Sequence, residues 1–445
     1  MLEETLEMES STSNPPSKLL ETLPAAPAPN LPDWYLESRR VAWDRFQALP
    51  LPQRKDESWR FANWKEANLS HYVRAKALPQ DHAAALAARL PKLEGAIARF
   101  VFVNGHLAVR EVGELPEGVT ALPLNEALQT APELVRPLFA EQRQELGSAK
   151  YAALHKATSD HGIFLHAADQ VELKRPIEVV HWVSGEDAAV LPRTLVSAGK
   201  NAELHLIERL FNADATTSGL IMTKADLHAA EGGRVRYAIQ QDLNMESRFM
   251  QLQNTVVARD ADIKSLFMHV GSRWVRSENL SRMTGTGANS EMLSLAVAGE
   301  TQEMDQRTLQ SHEAPHTTSD LLYKNALYDE ARSIFAGLIR VDEGAHYTDA
   351  YQTCRNLLLS DKAEANSMPG LEINADQVKC SHGSTSGSIP DEDLFYFMSR
   401  GIDARAARKL IIFGFSKEVI DRIGDETIVK LLLETVNAKF VRLGV

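Results

Sequence analysis

Cysteine is nearly absent from this chain: its 445 residues include only two, Cys354 and Cys380. Secreted domains that depend on disulfides carry several cysteines at regular spacings, so a disulfide framework is excluded. Scarce cysteines are typical of proteins in a reducing compartment. We therefore expect the chain to work in the cytoplasm.

Long apolar runs are missing as well. No segment approaches the roughly 18–20 consecutive apolar residues of a membrane span, and residues 1–4 (MLEE) are acidic where a secretory signal would be basic. The formal net charge is −12, which argues against nucleic acid or an anionic membrane as the main partner. A soluble chain without a nucleic-acid or membrane partner is therefore expected.

Two common catalytic motifs are absent. The chain has no G-x-x-x-x-G-K-S/T phosphate-binding loop and no G-x-S-x-G nucleophile turn. We therefore expect that this chain itself binds no nucleotide and is not an ATPase.

Composition and periodicity divide the chain into four segments. Residues 1–30, rich in Ser, Pro, Ala and Glu, are predicted to be a disordered lead-in. Residues 31–160 are mainly helical in pattern, with a β-hairpin near 99–110 around an Asn-Gly turn. Residues 161–385 contain short β-rich runs between turns, and residues 386–445 are helical again.

A weak internal repeat occurs within the β-rich segment. Turns that begin at Gly199, Gly232, Arg259 and Gly287 each precede a run of alternating residues, at spacings of 33, 27 and 28. Such spacings fit the coils of a β-solenoid better than the strands of a sandwich. Because a solenoid buries its apolar face only between neighbouring coils, we expect the flanking helical segments to cap both ends.

The C-terminal segment carries clear helix signals. Pro390 stands in a first turn and Gly401 ends the same helix, while Asp403 and Ser416 are predicted to cap the next two helices. In the last helix apolar residues recur every four positions and predict a stripe packed against the core of the same chain. The stripe consists of Ile428, Leu432, Val436 and Phe440.

The strongest local candidate for chemistry is the pair Cys380 and His382. In an extended strand residues i and i+2 face the same side, roughly 6.5–7 Å apart, so a thiolate and an imidazole here fit one soft metal centre. Two ligands complete neither a tetrahedral zinc site nor an iron–sulfur cluster. If the pair binds metal, further ligands must come from elsewhere, including another chain; a purely structural pair remains the alternative.

Two other candidates are weaker. Residues 312–316 (HEAPH) match the zinc-protease pattern, but Pro315 would break the helix that must place both histidines on one face. We therefore interpret them as a turn or interface loop. Cys354 lies in a strand-like stretch and is predicted to be a small buried hydrophobe.

Residues 310–402 resemble the shared core of the SufB/SufD family of iron–sulfur cluster assembly scaffolds. The resemblance rests on a long, nearly gap-free set of motifs. These are 314–320 (APHTTSD), 333–341 (SIFAGLIRV), 349–353 (DAYQT), 356–367 (NLLLSDKAEANS), 369–373 (PGLEI), 379–385 (KCSHGST), 394–397 (LFYF) and 399–402 (SRGI). Within the family the SufD type is the closer resemblance, because residues 57–61 (ESWRF) resemble an element near its start and because the additional cysteines of SufB are absent.

The resemblance implies a mainly β fold, a right-handed parallel β-helix with helical domains at both ends. It also implies a heterodimer with SufB through the β-helix, and a dimer of the ATPase SufC attached to the C-terminal helices. A transient iron–sulfur cluster would be shared at the SufB interface, with His382 as a ligand and Cys380 as a candidate second one. An isolated SufD-type chain is also expected to be able to form a homodimer.

Three hypotheses about function follow. The leading one is a non-catalytic scaffold, in which nucleotide binding by SufC moves the C-terminal helices and shifts the β-helix interface that carries His382. The second is an architectural subunit that binds SufB and SufC but contributes no cluster ligand. The third is a β-solenoid enzyme acting on polysaccharide, disfavoured because no compact carboxylate pair is evident and aromatic residues make up only 7% of the chain.

Overall fold

A computed structural model describes residues 18–26, 29–140 and 143–444 of the chain. Most of the predicted lead-in at residues 1–30 therefore lies outside the described residues. In the described part of this segment Leu19 is buried, and its N–H donates to the carbonyl oxygen of Tyr72 at 2.9 Å. Leu19 thus packs in one core cluster with Tyr72 of the N-terminal region.

The described residues form a predominantly β structure with helices toward both ends. The helices are α1 (Asp33–Ala48), α2 (Gln80–Ala88), α3 (Leu124–Thr130), α4 (Pro132–Ala140), α5 (Ala149–Thr158), α6 (Asp391–Ser399), α7 (Ala404–Asp421) and α8 (Glu426–Arg442), with 3₁₀ turns at Glu57–Trp59 and Trp64–Ala67. None of the helices in this described part is both long and apolar enough to cross a membrane.

The strands are β1 (Val73–Arg74), β2 (Ala98–Val103), β3 (His106–Val112), β4 (Val119–Pro123), β5 (Gly162–Ala167), β6 (Glu172–Val183), β7 (Ala188–Val190), β8 (Arg193–Ala198), β9 (Glu203–Asn212), β10 (Gly219–Ala229), β11 (Arg234–Asp242), β12 (Arg248–Val257), β13 (Asp262–His269), β14 (Trp274–Met283), β15 (Asn289–Ala298), β16 (Glu303–His312), β17 (Thr318–Leu327), β18 (Arg332–Val341), β19 (Asp349–Leu358), β20 (Glu364–Ile373) and β21 (Lys379–Gly387).

From β5 to β21 the strands alternate between two parallel sheets and form a β-solenoid, except that β7 and β8 both belong to sheet A and pair with β10. Sheet A runs β5-β8-β10-β12-β14-β16-β18-β20, and sheet B runs β6-β9-β11-β13-β15-β17-β19-β21. Each sheet therefore receives one strand from each of about eight coils. The predicted β-solenoid is confirmed, although the sequence repeat had revealed only its middle coils.

The four predicted repeat starts are the turns before β9, β11, β13 and β15 of sheet B. Asn201, Gly232, Asp260 and Gly287 in these turns have positive φ angles between 52° and 75°. The turns stack closely: a Cβ atom on Gly232 would lie 2.1 Å from Asn201 Oδ1. Glycine is therefore required at that position both for its φ angle and for its lack of a side chain.

The N-terminal region closes the first end of the solenoid. The predicted hairpin is present as β2 and β3, with the turn at Asn104 and Gly105, and β2 pairs in parallel with β6 at the edge of sheet B. At the same end β4 pairs with β5 at the edge of sheet A. Both sheet edges at the first end are thus covered by the same chain.

The N-terminal region also covers the outer face of sheet A. Trp59 is buried and stacks on Trp274, with ring centroids 6.4 Å apart. Three arginines of β14, β16 and β18 hold the segment around Trp59, at residues 58–61. Arg276, Arg307 and Arg332 donate to the carbonyl oxygens of Ser58, Arg60 and Phe61 at 2.9, 2.8 and 3.1 Å.

Glu303 lies under the same segment. Its Oε1 accepts the N–H of Asn63 at 2.8 Å, and Arg332 Nη1 lies 3.2 Å from its Oε2. Burial, with a smaller contribution from the Asp305 carboxylate, raises the pKa of Glu303 from 4.5 to about 7, despite the opposing effects of Asn63 and Arg332. Docking of the segment is therefore linked to protonation of this carboxyl group.

We predict that Glu303 makes the folded chain less stable as the pH rises. Because its pKa is higher in the folded than in the unfolded chain, its contribution is complete below about pH 4.5 and is lost as the pH passes about 7. The loss is on the order of 3 kcal/mol. Glu303→Gln cannot titrate, and its amide oxygen still accepts from Asn63, so urea unfolding should show a flatter pH dependence for the variant between pH 4.5 and 8.5. Parallel pH profiles for the two proteins would contradict this prediction.

The C-terminal helices pack along the side of sheet B. The predicted stripe of α8 is fully buried and shares one core with outward-facing residues of β9 to β17, such as Leu266 and Leu293. Packing of the stripe on the chain's own core is thus confirmed. The expectation that these helices cap the second end is wrong. The outer face of sheet B is itself apolar, and the helices pack on it.

One predicted helix cap is correct and one is wrong. The Asp403 side chain accepts the N–H groups of Arg405 and Ala406 at the start of α7. Ser416 instead lies inside α7, where its hydroxyl donates to the carbonyl oxygen of Ile412 at 2.8 Å. The cap of α8 is Asp425, which accepts the N–H of Ile428 at 2.9 Å.

Candidate functional site

The second end of the solenoid is open. β20 and β21 are the last strands of sheets A and B, and no further strand pairs with either of them in the part of the chain that is described. Their inner faces, which in every earlier coil are covered by the next one, are therefore accessible. Leu371 and Ile373, on the inner face of β20, are 37% and 41% exposed.

Cys380 and His382 lie together on the inner face of β21, at this open end. β19 pairs in parallel with β21, so the inward residues Ala350, Gln352, Cys354 and Asn356 are register partners of Cys380, His382, Ser384 and Ser386. The hydrogen bond from Asn356 Nδ2 to Ser386 Oγ, at 3.1 Å, supports this orientation. The expectation that the cysteine and the histidine share one face is confirmed.

The two candidate ligands differ in their surroundings. Cys380 is half-buried against an apolar cluster that includes Ile339 and Val341. Burial, together with the nearby Asp349 carboxylate, raises the pKa of its thiol. His382 is exposed, and its ring makes no hydrogen bond within the described part of the chain. In the free chain the imidazole is thus the more available donor to a metal.

The described residues contain no group of three or more His, Cys, Asp or Glu side chains that could hold a metal ion. Cys380 and His382 therefore offer at most two ligands. A metal or cluster bound at this end therefore needs further ligands from outside the described residues.

The HEAPH segment does not form a metal site. His312 ends β16 and is buried, with its ring nitrogens 2.7 Å from Thr317 Oγ1 and 2.8 Å from Ser319 Oγ. Burial lowers its pKa to about 3. Glu313 accepts from Arg282 at 2.8 Å, and His316 lies in the following turn, so the three side chains do not converge.

Cys354 is buried one coil below the open end. Burial raises the pKa of its thiol to about 12, which makes it a poor thiolate donor. The prediction that it is a small buried hydrophobe is confirmed.

Helix α6 presents an exposed apolar surface that no separate signal in the sequence predicts. Leu394 is buried, whereas Phe395, Tyr396 and Met398 are 73%, 58% and 53% exposed. Only three residues separate the end of β21 at Gly387 from the start of α6 at Asp391. The exposed helix is thus directly joined to the strand that carries Cys380 and His382.

Two family models and several known proteins match this chain over most of its length. A family model described as "SUF system FeS cluster assembly, SufBD core domain" matches residues 181–415, and one described as "SufBD protein N-terminal region" matches residues 31–179. An iron–sulfur cluster assembly SufBD family protein of Synechocystis is 26% identical over 408 residues, 87% of each chain. Relatives of the same description from Staphylococcus aureus strains MRSA252 and USA300 are 24% identical over 405 residues, 87% of this chain and 85% of theirs.

Proposed function

This chain belongs to the SufBD family of iron–sulfur cluster assembly proteins, and from that premise we propose that it is a non-catalytic, SufD-type scaffold subunit of the Suf complex. It pairs with a SufB-type partner through the solenoid and with a SufC-type ATPase through its C-terminal helices. The nascent cluster is cargo, assembled between the two solenoids. ATP hydrolysis is supplied by the SufC-type partner.

The observation that carries this proposal is the open second end of the solenoid. The edges of β20 and β21 present unpaired backbone groups over about ten residues each, which a second solenoid end can extend. The exposed side chains of Leu371 and Ile373 add apolar area to the same surface. At the first end the solenoid strands β5 and β6 are instead covered by β4 and β2 of the same chain.

His382 is the proposed ligand from this chain. A neutral imidazole binds iron well and also moves protons near neutral pH. The raised pKa of Cys380 keeps its sulfur protonated in the free chain, so it joins as a ligand only when metal displaces its proton. The partner supplies the ligands that this chain lacks.

The C-terminal helices are proposed to transmit the ATPase cycle to the open end. α7 and α8 are tied to sheet B, for example by Arg422, which contacts Glu291 at 2.9 Å and Asp320 at 2.6 Å. α6 exposes its aromatic side chains to solvent and lies in the chain between β21 and the anchored helices α7 and α8. A displacement of α6 therefore acts mainly on its other neighbour, β21.

We predict that the exposed face of α6 binds the SufC-type partner. Phe395→Ser with Tyr396→Ser removes the two most exposed aromatic side chains of α6, and because aromatic residues often dominate interface energies, affinity should fall at least about tenfold. Isothermal titration with the purified ATPase measures the change. Val441→Ser, at an equally exposed apolar site on α8, is the matched control; equal losses in both variants would argue against a specific site on α6.

Isolation of the complex tests the proposal as a whole. The full chain is co-expressed with SufB-type and SufC-type proteins of one organism and purified anaerobically through a tag on this chain alone. A complex that contains all three proteins and gains iron and sulfide on reconstitution supports the assignment. Recovery of this chain without either partner would refute it.

A further inference from the structure

Behind His382, one strand deeper in the solenoid, lies a buried amide with an unused acceptor. Gln352 is the register partner of His382 on β19 and faces the same interior. It is 1% exposed; its Nε2 donates to the carbonyl oxygen of Gly337 at 3.3 Å, while its Oε1 is buried without a partner within the described residues. Because Nε2 is held by a carbonyl, the amide cannot be turned around to satisfy both ends.

The fold makes room for this amide. A Cβ atom on Gly337 would lie 2.3 Å from Gln352 Oε1 and 2.7 Å from the Phe335 ring. Any side chain at position 337 would therefore displace the amide of Gln352. Gly337 thus leaves the space in which this acceptor lies.

The register partner of Gln352 on β21 is His382, whose ring makes no hydrogen bond in the described part of the chain. Neighbouring strands lie about 4.8 Å apart, so side chains on the same face of β19 and β21 are within contact range. Of the buried side-chain acceptors without a partner in the described chain, β19 contributes only Gln352 and Asp349, and Asp349 faces outward. A histidine that binds metal through one nitrogen usually donates its other N–H to a nearby oxygen, which fixes the ring and its tautomer.

We infer that Gln352 is a positioning residue for His382: when the imidazole takes up iron, the ring turns so that the Gln352 amide oxygen accepts its N–H and the other ring nitrogen is directed out of the open end. The inference rests on the proposed role of His382 as a ligand. Gln352 touches neither iron nor partner. Gly337 acts one step further back, by leaving space for the amide.

The first test uses the full chain without metal. Gln352→Glu places a carboxylate where the amide lies, and an opposite charge at contact distance should raise the pKa of His382 by about one unit or more. The pKa is measured by NMR titration of ¹⁵N-histidine, with the His382 signal assigned from its loss in His382→Ala. An unchanged His382 pKa in a folded Gln352→Glu chain would overturn the inference, since the two side chains would then not be neighbours.

The second test uses Co²⁺ as the metal probe in the complex with the SufB-type partner. Gln352→Met, which has similar length but no acceptor, should weaken Co²⁺ binding about 10–100-fold and abolish the exchangeable, paramagnetically shifted N–H signal of His382. Gln352→Glu should restore both. Gly337→Ala should weaken binding in the same direction.

Gln253→Met is the matched control. Gln253 is also buried, inward-facing and has an unpartnered Oε1, but it lies on β12, several coils from β21, where its Nε2 donates to Ser265 Oγ at 2.8 Å. Its replacement should leave Co²⁺ affinity unchanged, and equal losses in both variants would overturn the inference. If the shifted N–H signal of wild type survives in His382→Ala, His382 is not a ligand and the proposed function fails. If it depends on His382 but not on Gln352, only the positioning role fails.

Discussion

His382→Ala is expected to abolish cluster formation on the reconstituted complex while the chain stays folded and bound to its partners. The side chain is exposed on the last strand and makes no hydrogen bond in the described chain, so its loss should change the free energy of unfolding by no more than about 0.5 kcal/mol. The cluster, in contrast, loses its ligand from this side of the interface. Iron and sulfide content and the visible charge-transfer absorption measure the result.

His346→Ala provides the control for this experiment. His346 is also exposed near the open end, but it lies in the turn before β19, where its Nδ1 contacts the backbone of Asp376. Its replacement should leave cluster content at the wild-type level. A His382→Ala complex with normal iron and sulfide would show that this chain is an architectural subunit only.

The second large effect is expected from charges on the open end. Leu371→Asp with Ile373→Asp places two carboxylates on the inner face of β20, where a docked partner would remove them from water. Each substitution loses apolar burial worth about 1.5–3 kcal/mol and adds the desolvation of an unpaired charge, which costs several kcal/mol. Affinity for the SufB-type partner should therefore fall by more than about a hundredfold, as measured by analytical ultracentrifugation.

The matched control for this pair lies at the other end of the solenoid. Leu107 is 41% exposed on β3, the edge strand beyond β2, and Leu107→Asp should leave partner affinity unchanged. Both variants should remain folded, because the substituted side chains lie on end strands and are already 37–41% exposed; urea unfolding of each variant checks this. Tight pairing by the Leu371/Ile373 variant would mean that the partner docks elsewhere.

The sequence predicted those features that local chemistry determines. Turns such as that at Gly232 need a residue with a positive φ angle before each strand. Because Gly, Asn and Asp favour that conformation, they mark the spacing of the coils in the sequence. The Asn-Gly turn at 104–105 and the Asp403 cap are likewise short-range signals. The shared face of Cys380 and His382 follows from the period of two in any strand.

Features that depend on distant residues could not be predicted in this way. The side on which α7 and α8 pack is determined by outward apolar residues such as Leu266, which in sequence look the same as inward ones. Ser416 is a residue type that often caps helices, but apolar residues on both sides of it pack on the core, so α7 continues through it. Gln352 gave no local signal, because its relation to His382 appears only once β19 is aligned with β21.

The most direct test of His382 as a cluster ligand is pulsed EPR on the reduced, reconstituted complex with ¹⁵N-histidine in this chain alone. We expect ¹⁵N hyperfine coupling from one directly bound histidine nitrogen, and loss of the cluster signal itself when the labelled chain carries His382→Ala. A complex with a full cluster and no ¹⁵N coupling in the wild type would contradict this assignment, because the cluster would then be held without any histidine of this chain.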